Sequence, residues 1–242
     1  MSVGRLYGVG LGPGDPELLT VKAVRIIETA PVIAFFAKTG RPGNARTIAD
    51  RWIPANAREL LLPYPVTTEI PVSDPAYNEA LSDFYAEATE RLAAELSAGR
   101  DVALLSEGDP LFYGSFMHLY IRLKDRFPVT IVPGVTGMAG CWSAAGEAMT
   151  WGDDVMTVLP GTLPREALTE RLQQTDAAVI MKVGRNFAKI RQALRDSGQY
   201  ERAIYVERGT MAGEKVMKLA DKPDDSAPYF AIVLVSGQGR RP

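Results

Sequence analysis

Residues Leu6–Thr20 read LYGVGLGPGDPELLT, with glycines at the alternate positions 8, 10, 12 and 14. The apolar run Arg5–Leu11 predicts a short buried strand that leads into the glycines. Asp15 followed by Pro16 is typical of a helix start, with Asp as the N-cap and Pro in the first turn. The glycines can serve a tight turn that needs positive φ, but their number favours a ligand lying against bare backbone.

The spacing of these glycines excludes the two common phosphate-binding loops. The dinucleotide pattern G-x-G-x-x-G fails because its third glycine would fall on Pro13, Asp15 or Glu17. The P-loop pattern fails because Gly14 is followed by Asp15 instead of Lys, and a carboxylate there repels phosphate. We therefore expect a ligand that carries no polyphosphate.

Predicted strands and helices alternate outward from this stretch, which indicates an α/β fold with a mostly parallel sheet. The longest predicted helix covers residues 76–98 and ends before Gly99, a typical position for a terminating glycine. Glycine-bearing loops follow three predicted strands: GLGPGDP at 10–16, SEGDPLFYG at 106–114 and VPGVTG at 132–137. Since ligands bind outside the carboxyl ends of parallel strands, we expect these loops to converge on one site.

The second half of the chain has more strands per helix, which predicts a mixed sheet. We expect a domain boundary between Pro133 and Gly152, and assign an N-terminal α/β domain to residues 1–138 and a C-terminal α/β domain to 139–242.

The composition of the chain argues against several kinds of binding site. The 242 residues carry a net charge of −2, which argues against a broad nucleic-acid surface. No leader and no membrane-spanning run is evident, so we expect a cytoplasmic protein without a membrane partner. A single cysteine, Cys141, excludes a disulfide and a Cys-rich zinc site, and we expect no metal. We expect Cys141 to pack like a small apolar residue and His118, the single histidine, to be a partly buried structural side chain.

The motifs GVGLGPGDPELLT, EGDPLFYG and VPGVTG, in this order, resemble the tetrapyrrole methylase family, and the resemblance covers nearly the whole chain. These proteins are class III S-adenosylmethionine-dependent methyltransferases. The resemblance implies two α/β domains with cofactor and substrate in the trough between them, S-adenosyl-L-methionine as methyl donor, S-adenosyl-L-homocysteine as product, and a homodimer.

Three further segments look most like one branch of this family: LSEGDPLFYGSFMHLY, VIMKVGRNFAKI and YVERGTMAGEKV. That branch methylates the C-20 meso carbon of precorrin-2 in cobalamin biosynthesis. A cobalt-bearing substrate, another ring carbon, a modified protein histidine and a ribosomal RNA nucleotide remain alternatives. A binding protein without catalysis and a nicotinamide enzyme are further alternatives, the last disfavoured by the glycine spacing.

The resemblance implies that the cofactor is bound by residues of several loops. They are Pro13, Glu107, Gly108, Asp109, Phe112, Thr136, Gly137, Val183, Gly209 and Thr210. Many relatives carry a small residue where this chain has Glu107, so the backbone at this position has the stronger claim to the cofactor.

Methyl transfer from a sulfonium to carbon is an in-line displacement that needs alignment and exclusion of water more than a nucleophilic side chain. After transfer a proton must leave C-20, and Glu107, Asp109 and Tyr113 are candidate acceptors by location. The tetrapyrrole carries many carboxylates, so we expect cations beside it. The candidates are Lys38, Arg41, Lys182, Arg185 and Arg208, with Lys182 and Arg208 preferred because they adjoin the expected cofactor positions.

Overall fold

The computed structural model describes residues 2–65 and 75–239. By internal contacts the chain divides into two units, Met1–Thr136 and Gly137–Pro242. Each unit contains one five-stranded sheet with helices, which confirms the predicted two-part α/β architecture.

The first unit is built on a fully parallel sheet. Its strands are β1 (Leu6–Gly10), β2 (Val32–Lys38), β3 (Arg58–Tyr64), β4 (Val102–Ser106) and β5 (Val129–Val132). Their order is β3-β2-β4-β1-β5, and every neighbouring pair is parallel. The helices are α1 (Val21–Thr29), α2 (Asn44–Ala49), α3 (Pro75–Ser97) and α4 (Phe116–Leu123).

Both faces of this sheet are covered, which explains why its strands lack polar alternation. On β4, Leu104 packs in a cluster that includes Phe116 of α4, while Leu105 packs on the other face in a cluster that includes Ile27 of α1. All five residues of β4 are buried.

The helix predicted to start at Asp15 is in fact two elements. Asp15 caps only a short 3-10 turn, Pro16–Leu18, where its carboxylate accepts the backbone N–H of Glu17 at 2.8 Å. The α-helix begins at Val21, capped by the hydroxyl of Thr20, which accepts the N–H of Ala23 at 3.1 Å. Thr20 is itself a good N-cap residue, so the second signal determined where the long helix starts.

The second unit has the expected mixed sheet. Its strands are β6 (Met156–Pro160), β7 (Ala177–Met181), β8 (Ala203–Glu207), β9 (Lys215–Lys218) and β10 (Ala231–Val235). In the order β6-β7-β10-β8-β9, the first pair is parallel and the other three are antiparallel. The helices are α5 (Gly137–Ala145), α6 (Arg165–Gln173) and α7 (Phe187–Asp196).

Helix α5 is the element that the sequence reading missed. Its sequence, GMAGCWSAA, lacks a clear polar face and contains two glycines, which weaken a helix. It forms through packing: its residues Cys141, Trp142 and Ala145 belong to the cluster that contains Val206 of β8 and Leu234 of β10.

Within the ranges 2–65 and 75–239, no helix combines the length and the apolar character that crossing a bilayer requires.

Candidate functional site

Strands β1 and β4 lie side by side in the first unit, but their connections leave toward opposite faces of the sheet. The chain after β1 leads to α1, whose Ala23 and Ile27 pack with Leu105. The chain after β4 leads to α4, whose Phe116 packs with Leu104 on the other face. The carboxyl ends of two such strands form the crevice where open α/β sheets bind ligands.

The loops after β1 and β4 are joined directly by backbone hydrogen bonds. The N–H of Gly108 donates to the carbonyl oxygen of Gly12 at 2.7 Å, and the N–H of Gly12 donates back to Gly108 at 3.3 Å. Gly12 adopts φ +80°, a conformation that favours glycine. The glycine-rich loop and the EGDP loop therefore form one structural unit.

The loop after β5 approaches both of them too closely for side chains. A Cβ built on Gly134 would lie 2.1 Å from the carbonyl oxygen of Gly108 and 2.9 Å from the Cα of Gly10. The three glycine-bearing loops thus meet at the carboxyl edge of the sheet, as their positions in the sequence indicated.

The side chain of Asp109 holds the loop after β4 to the loop after β5. Its Oδ1 accepts the backbone N–H of Leu111 at 2.9 Å, and its Oδ2 accepts the N–H of Gly134 at 3.1 Å. Both carboxylate oxygens are therefore engaged with backbone, one inside the EGDP loop and one in the loop after β5.

Glu107 is directed differently from Asp109. The residue as a whole is exposed, but its carboxyl group is poorly hydrated and lies near two donors, the side chain of Asn44 and the backbone N–H of Ala45. Loss of hydration around the carboxyl raises the pKa of Glu107, and the two hydrogen bonds lower it by less. A carboxylate of raised pKa is a stronger base and so a suitable proton acceptor.

Ser106, the last residue of β4, places a buried hydroxyl beside the crevice. The residue is 7% exposed, its Oγ finds no hydrogen-bond partner among the described residues, and its Cα pairs with Gly10 across the sheet. Buried polar groups rarely stay unpaired in native proteins, so this hydroxyl is consistent with a bound molecule or water at the strand end.

Four residues other than glycine adopt positive φ in the described part of the chain: Tyr113 (+53°), Lys182 (+56°), Arg208 (+54°) and Thr210 (+66°). All four are among the residues singled out from the sequence. Such conformations are strained and cluster at functional sites. Tyr113 is 45% exposed, and its ring meets that of Phe112 edge-on at 4.9 Å.

In the second unit, Lys182 and Arg208 lie at the same sheet edge. Strands β7 and β8 both run antiparallel to β10, which lies between them, so their carboxyl ends point the same way. Lys182 directly follows β7 and Arg208 directly follows β8, and the N–H of Arg208 donates to the carbonyl oxygen of Phe230 at 2.9 Å. The two cations thus flank the start of β10.

Gly209 is held against α5, the helix that begins at Gly137. A Cβ on Gly209 would lie 2.9 Å from the Sγ of Cys141, and the N–H of Gly209 donates to that sulfur. The N–H of Thr210 donates to Glu214 at 2.6 Å. Cys141 is 7% exposed, as expected for an apolar packing role, and desolvation raises the pKa of its thiol to about 11.

The remaining sequence-derived candidates occupy varied positions. Pro13 and Thr136 are half-buried loop residues, while Lys38 ends β2 and Arg185 lies in a short 3-10 turn, both exposed. The Val183 side chain is fully buried in the core of the second unit, so only its backbone can face a ligand.

The proximity of Asn44 to Glu107 is a feature of the site that sequence reasoning missed. Nothing in the segment NARTIADRWI indicates that its first residue contacts Glu107, because the two are brought together only by the pairing of β2 with β4.

His118 departs from expectation. It is exposed instead of partly buried, and its ring stacks on Tyr85 at 4.3 Å. Partial desolvation, followed by the nearby Arg122 guanidinium, lowers the pKa of His118. In the described residues, no three His, Cys, Asp or Glu side chains are grouped so that they could hold a metal ion.

Comparison with known protein families shows which family this chain belongs to. The model of the tetrapyrrole (corrin/porphyrin) methylases matches residues 5–222. The chain belongs to the tetrapyrrole methylase family. The match spans both units, so the loop junction of the first unit and the Lys182–Arg208 edge of the second both fall within it.

Several relatives of this tetrapyrrole methylase are known by name. It is 57% identical to the precorrin-2 C(20)-methyltransferase of Sinorhizobium sp over 242 residues, which cover 100% of this chain and 99% of the relative. It is 50% identical to the cobalamin biosynthesis protein CobIJ of Mycobacterium tuberculosis, covering 98% of this chain but 47% of that longer protein. It is 30% identical to the cobalt-precorrin-2 C(20)-methyltransferase of Salmonella typhimurium, with 97% of each chain covered.

Solved structures share the fold. The cobalt precorrin-4 methyltransferase CbiF matches with a TM-score of 0.73 at 23% identity, covering 96% of this chain and 94% of the other. The uroporphyrin-III C-methyl transferase of Thermus thermophilus, complexed with S-adenosyl homocysteine, matches with a TM-score of 0.67 at 24% identity, covering 96% and 97%.

Proposed function

We propose that this tetrapyrrole methylase transfers a methyl group from S-adenosyl-L-methionine to the C-20 meso carbon of precorrin-2, giving precorrin-3A in cobalamin biosynthesis. The observation that carries the proposal is the 57% identity, over both chains almost end to end, with a protein named for that reaction. The site chemistry agrees, since neither an activated nucleophile nor a metal group is required for it.

The first unit suits a cofactor that is cationic and free of phosphate. Its loop junction presents glycine backbone and the carboxylates of Glu107 and Asp109, which disfavour a polyphosphate, and the unpaired hydroxyl of Ser106 lies beside it. When bound, S-adenosyl-L-methionine supplies an electrophilic methyl group on a positively charged sulfur. We propose the following residues for its binding: Pro13, Glu107, Gly108, Asp109, Phe112 and Thr136 in the first unit, and Gly137, Val183, Gly209 and Thr210 in the second.

The chain's own chemical task is to take the proton that leaves C-20. Among the three candidates, Glu107 is best suited because desolvation raises the pKa of its carboxyl, which makes that carboxylate a stronger base. The two oxygens of Asp109 already accept backbone N–H groups, so we propose that Asp109 chiefly holds the loops. Tyr113 lies on the same loop and is kept as the second candidate.

We propose that the carboxylates of the tetrapyrrole are bound by cations, foremost Lys182 and Arg208, with Lys38 and Arg185 as further candidates. The support is that Lys182 and Arg208 follow β7 and β8, which run in the same direction on either side of β10, and that both residues adopt positive φ. Lys182→Met should raise the KM for the tetrapyrrole about tenfold, the order expected for a lost hydrogen bond to a charged group, while the Kd of S-adenosylhomocysteine stays unchanged. Equal loss of both would contradict the assignment.

The metal content of the substrate is open to a direct test, because the Salmonella relative is named for the cobalt-bearing compound. Labelled S-adenosylmethionine is incubated with the protein and with precorrin-2 or cobalt-precorrin-2. We expect transfer of label to precorrin-2, with the product's new methyl at C-20 by carbon NMR. Transfer to cobalt-precorrin-2 alone would identify the cobalt-bearing compound as the substrate. Transfer to neither compound would overturn the proposed function.

We further propose that the enzyme is a homodimer, as the family resemblance implies, and that it acts in the cytoplasm. Light scattering on the purified protein should give about twice the 26.3 kDa chain mass.

A further inference from the structure

The hydroxyl of Ser106 is buried and unpaired in the part of the chain that the structure describes. The residue is 7% exposed, and its Oγ has no hydrogen-bond partner there. The hydroxyl of Thr175, which is 8% exposed, behaves in the usual way: it accepts from the hydroxyl of Thr157 at 2.8 Å and donates to the carbonyl oxygen of Val155 at 2.8 Å. Because burying an unpaired polar group costs stability, the hydroxyl of Ser106 requires an explanation.

Ser106 is the polar end of an otherwise apolar strand. It follows the buried run Val102–Leu105 and closes β4 at the crevice between β1 and β4. Side chains two apart in a strand face the same side, so Ser106 lies on the side of Leu104, and Gly10, its partner across the sheet, has no side chain. The backbone carbonyl of Ser106 accepts the N–H of Leu11 at 2.9 Å, so the main chain is paired where the side chain is not. Alanine would fit this position without leaving a hydroxyl unpaired.

The charges around this strand end favour a positive ligand group. The three glycine-bearing loops carry the carboxylates of Asp15, Glu107 and Asp109 and contain no Lys, Arg or His. A positive group is therefore attracted to this edge, whereas a further carboxylate is repelled. The oxygens of Asp109 already accept two backbone N–H groups, while the Ser106 oxygen can still accept a hydrogen bond. S-adenosyl-L-methionine has two positive groups, a sulfonium and an ammonium, and of these the ammonium alone donates hydrogen bonds.

We propose that the hydroxyl of Ser106 binds the methyl donor by accepting an N–H from the ammonium group of its amino-acid part. This inference rests on the proposed cofactor and adds a residue and a ligand group to it. In the unliganded protein the unpaired hydroxyl costs stability, and the bound ammonium removes that cost. Ser106 thus contributes to affinity and lowers the stability of the unliganded protein, and the two effects can be measured separately.

The first test measures affinity by calorimetry with three ligands. S-adenosylhomocysteine carries the whole amino-acid part, its decarboxylated analogue keeps the ammonium without the carboxylate, and 5′-methylthioadenosine lacks both groups. Ser106→Ala should raise the Kd of the first two ligands about tenfold, the order expected for a lost hydrogen bond to a charged group. The Kd of 5′-methylthioadenosine should stay unchanged, because this ligand has no ammonium for the hydroxyl to accept from.

A matched control is Ser97→Ala, which removes the same group in the same unit. Ser97 is exposed and ends α3, which leads to the amino end of β4, at the edge of the sheet opposite to the loops. Its replacement should leave the Kd of all three ligands unchanged. An unchanged Kd of S-adenosylhomocysteine in Ser106→Ala would overturn the inference, and so would equal weakening of S-adenosylhomocysteine and 5′-methylthioadenosine.

The second test measures thermal unfolding without ligand. Ser106→Ala should melt at or above the wild-type temperature, because the variant no longer buries an unpaired hydroxyl. Thr175→Val is the contrasting variant: it removes a buried hydroxyl that has partners, so its melting temperature should fall by about 3 °C or more. Saturating S-adenosylhomocysteine should then raise the melting temperature of the wild type more than that of Ser106→Ala, since the wild type binds it more tightly.

The remaining outcomes separate this inference from the proposed function. A hydroxyl that serves only a trapped water would make Ser106→Ala melt at a lower temperature with an unchanged Kd, and that result would contradict the inference. If the wild-type protein binds S-adenosylhomocysteine and methylates precorrin-2 while Ser106→Ala binds the ligand equally well, the inference alone fails. If the wild-type protein binds none of the three ligands, the proposed cofactor fails and the inference fails with it.

Discussion

At Gly134 there is no room for a side chain, because the nearest atoms are the backbone of Gly108 and Gly10. Backbone strain appears at Lys182 and Arg208, which adopt positive φ directly after strand ends. At the candidate site, the backbone conformation therefore restricts the residue type at a position as much as the side-chain chemistry does.

Gly134→Ala should lower the free energy of unfolding by about 1–3 kcal/mol, since a Cβ 2.1 Å from the Gly108 carbonyl forces the loops apart. Urea unfolding measures the loss. Gly137→Ala is the matched control for stability: no atom lies within 4 Å of its added Cβ, and alanine suits the helix that starts there. Equal stability of the two variants would show that the loop contact is not as tight as described.

Cys141 should be inert to thiol reagents in the native protein. Its pKa of about 11 leaves roughly one thiolate in a thousand at mildly alkaline pH, and the side chain is buried against Gly209. Ellman's reagent should react with one equivalent in concentrated guanidinium and with very little before unfolding. Rapid stoichiometric reaction of the folded protein would contradict the packing of α5 on the turn after β8.

Among the elements, the loops are held by one carboxylate that spans two of them. Asp109 links the loop after β4 to the loop after β5 by accepting the N–H groups of Leu111 and Gly134. The sequence motif EGDP therefore serves two distinct purposes, since its aspartate fastens loops while its glutamate faces α2 and solvent.

Asp109→Ala should cost about 1–3 kcal/mol in unfolding free energy, because a partly buried N–H loses its acceptor, and should weaken S-adenosylhomocysteine binding as the loops separate. Asp109→Asn, which keeps one acceptor oxygen, should lose less. Asp125→Ala is the control: its carboxylate is 81% exposed and pairs with Lys124, so the change should stay within about 0.5 kcal/mol. Unaltered stability of Asp109→Ala would refute the fastening role.

At the scale of the whole molecule, two sheets of different type each bring their candidate residues to one edge. The parallel sheet does so with β1, β4 and β5, and the mixed sheet does so with β7 and β8, which run in the same direction on either side of β10. Because the candidate residues lie in loops at the strand ends, these loops can vary in sequence without disturbing the cores of the two units.

Ligand binding to the whole protein should discriminate the cofactor class. S-adenosylhomocysteine at roughly 100 times its dissociation constant should stabilise the fold by about 2.7 kcal/mol, which corresponds to a melting-temperature rise of about 5 °C or more. NADH and ATP at the same concentration should give no shift, because the glycine loop lacks both phosphate-binding patterns. A shift with NADH and none with S-adenosylhomocysteine would overturn the proposed cofactor.

The sequence alone determined the α/β class, most elements, the mixed second sheet and the three loops that meet at one edge, because these follow from local apolar patterns and from glycine and proline signals. Tertiary structure alone decided the formation of α5, the exposure of His118 and the different surroundings of Glu107 and Asp109. These features depend on contacts between residues far apart in sequence. Asn44 meets Glu107 only because β2 pairs with β4, and no local pattern encodes that meeting.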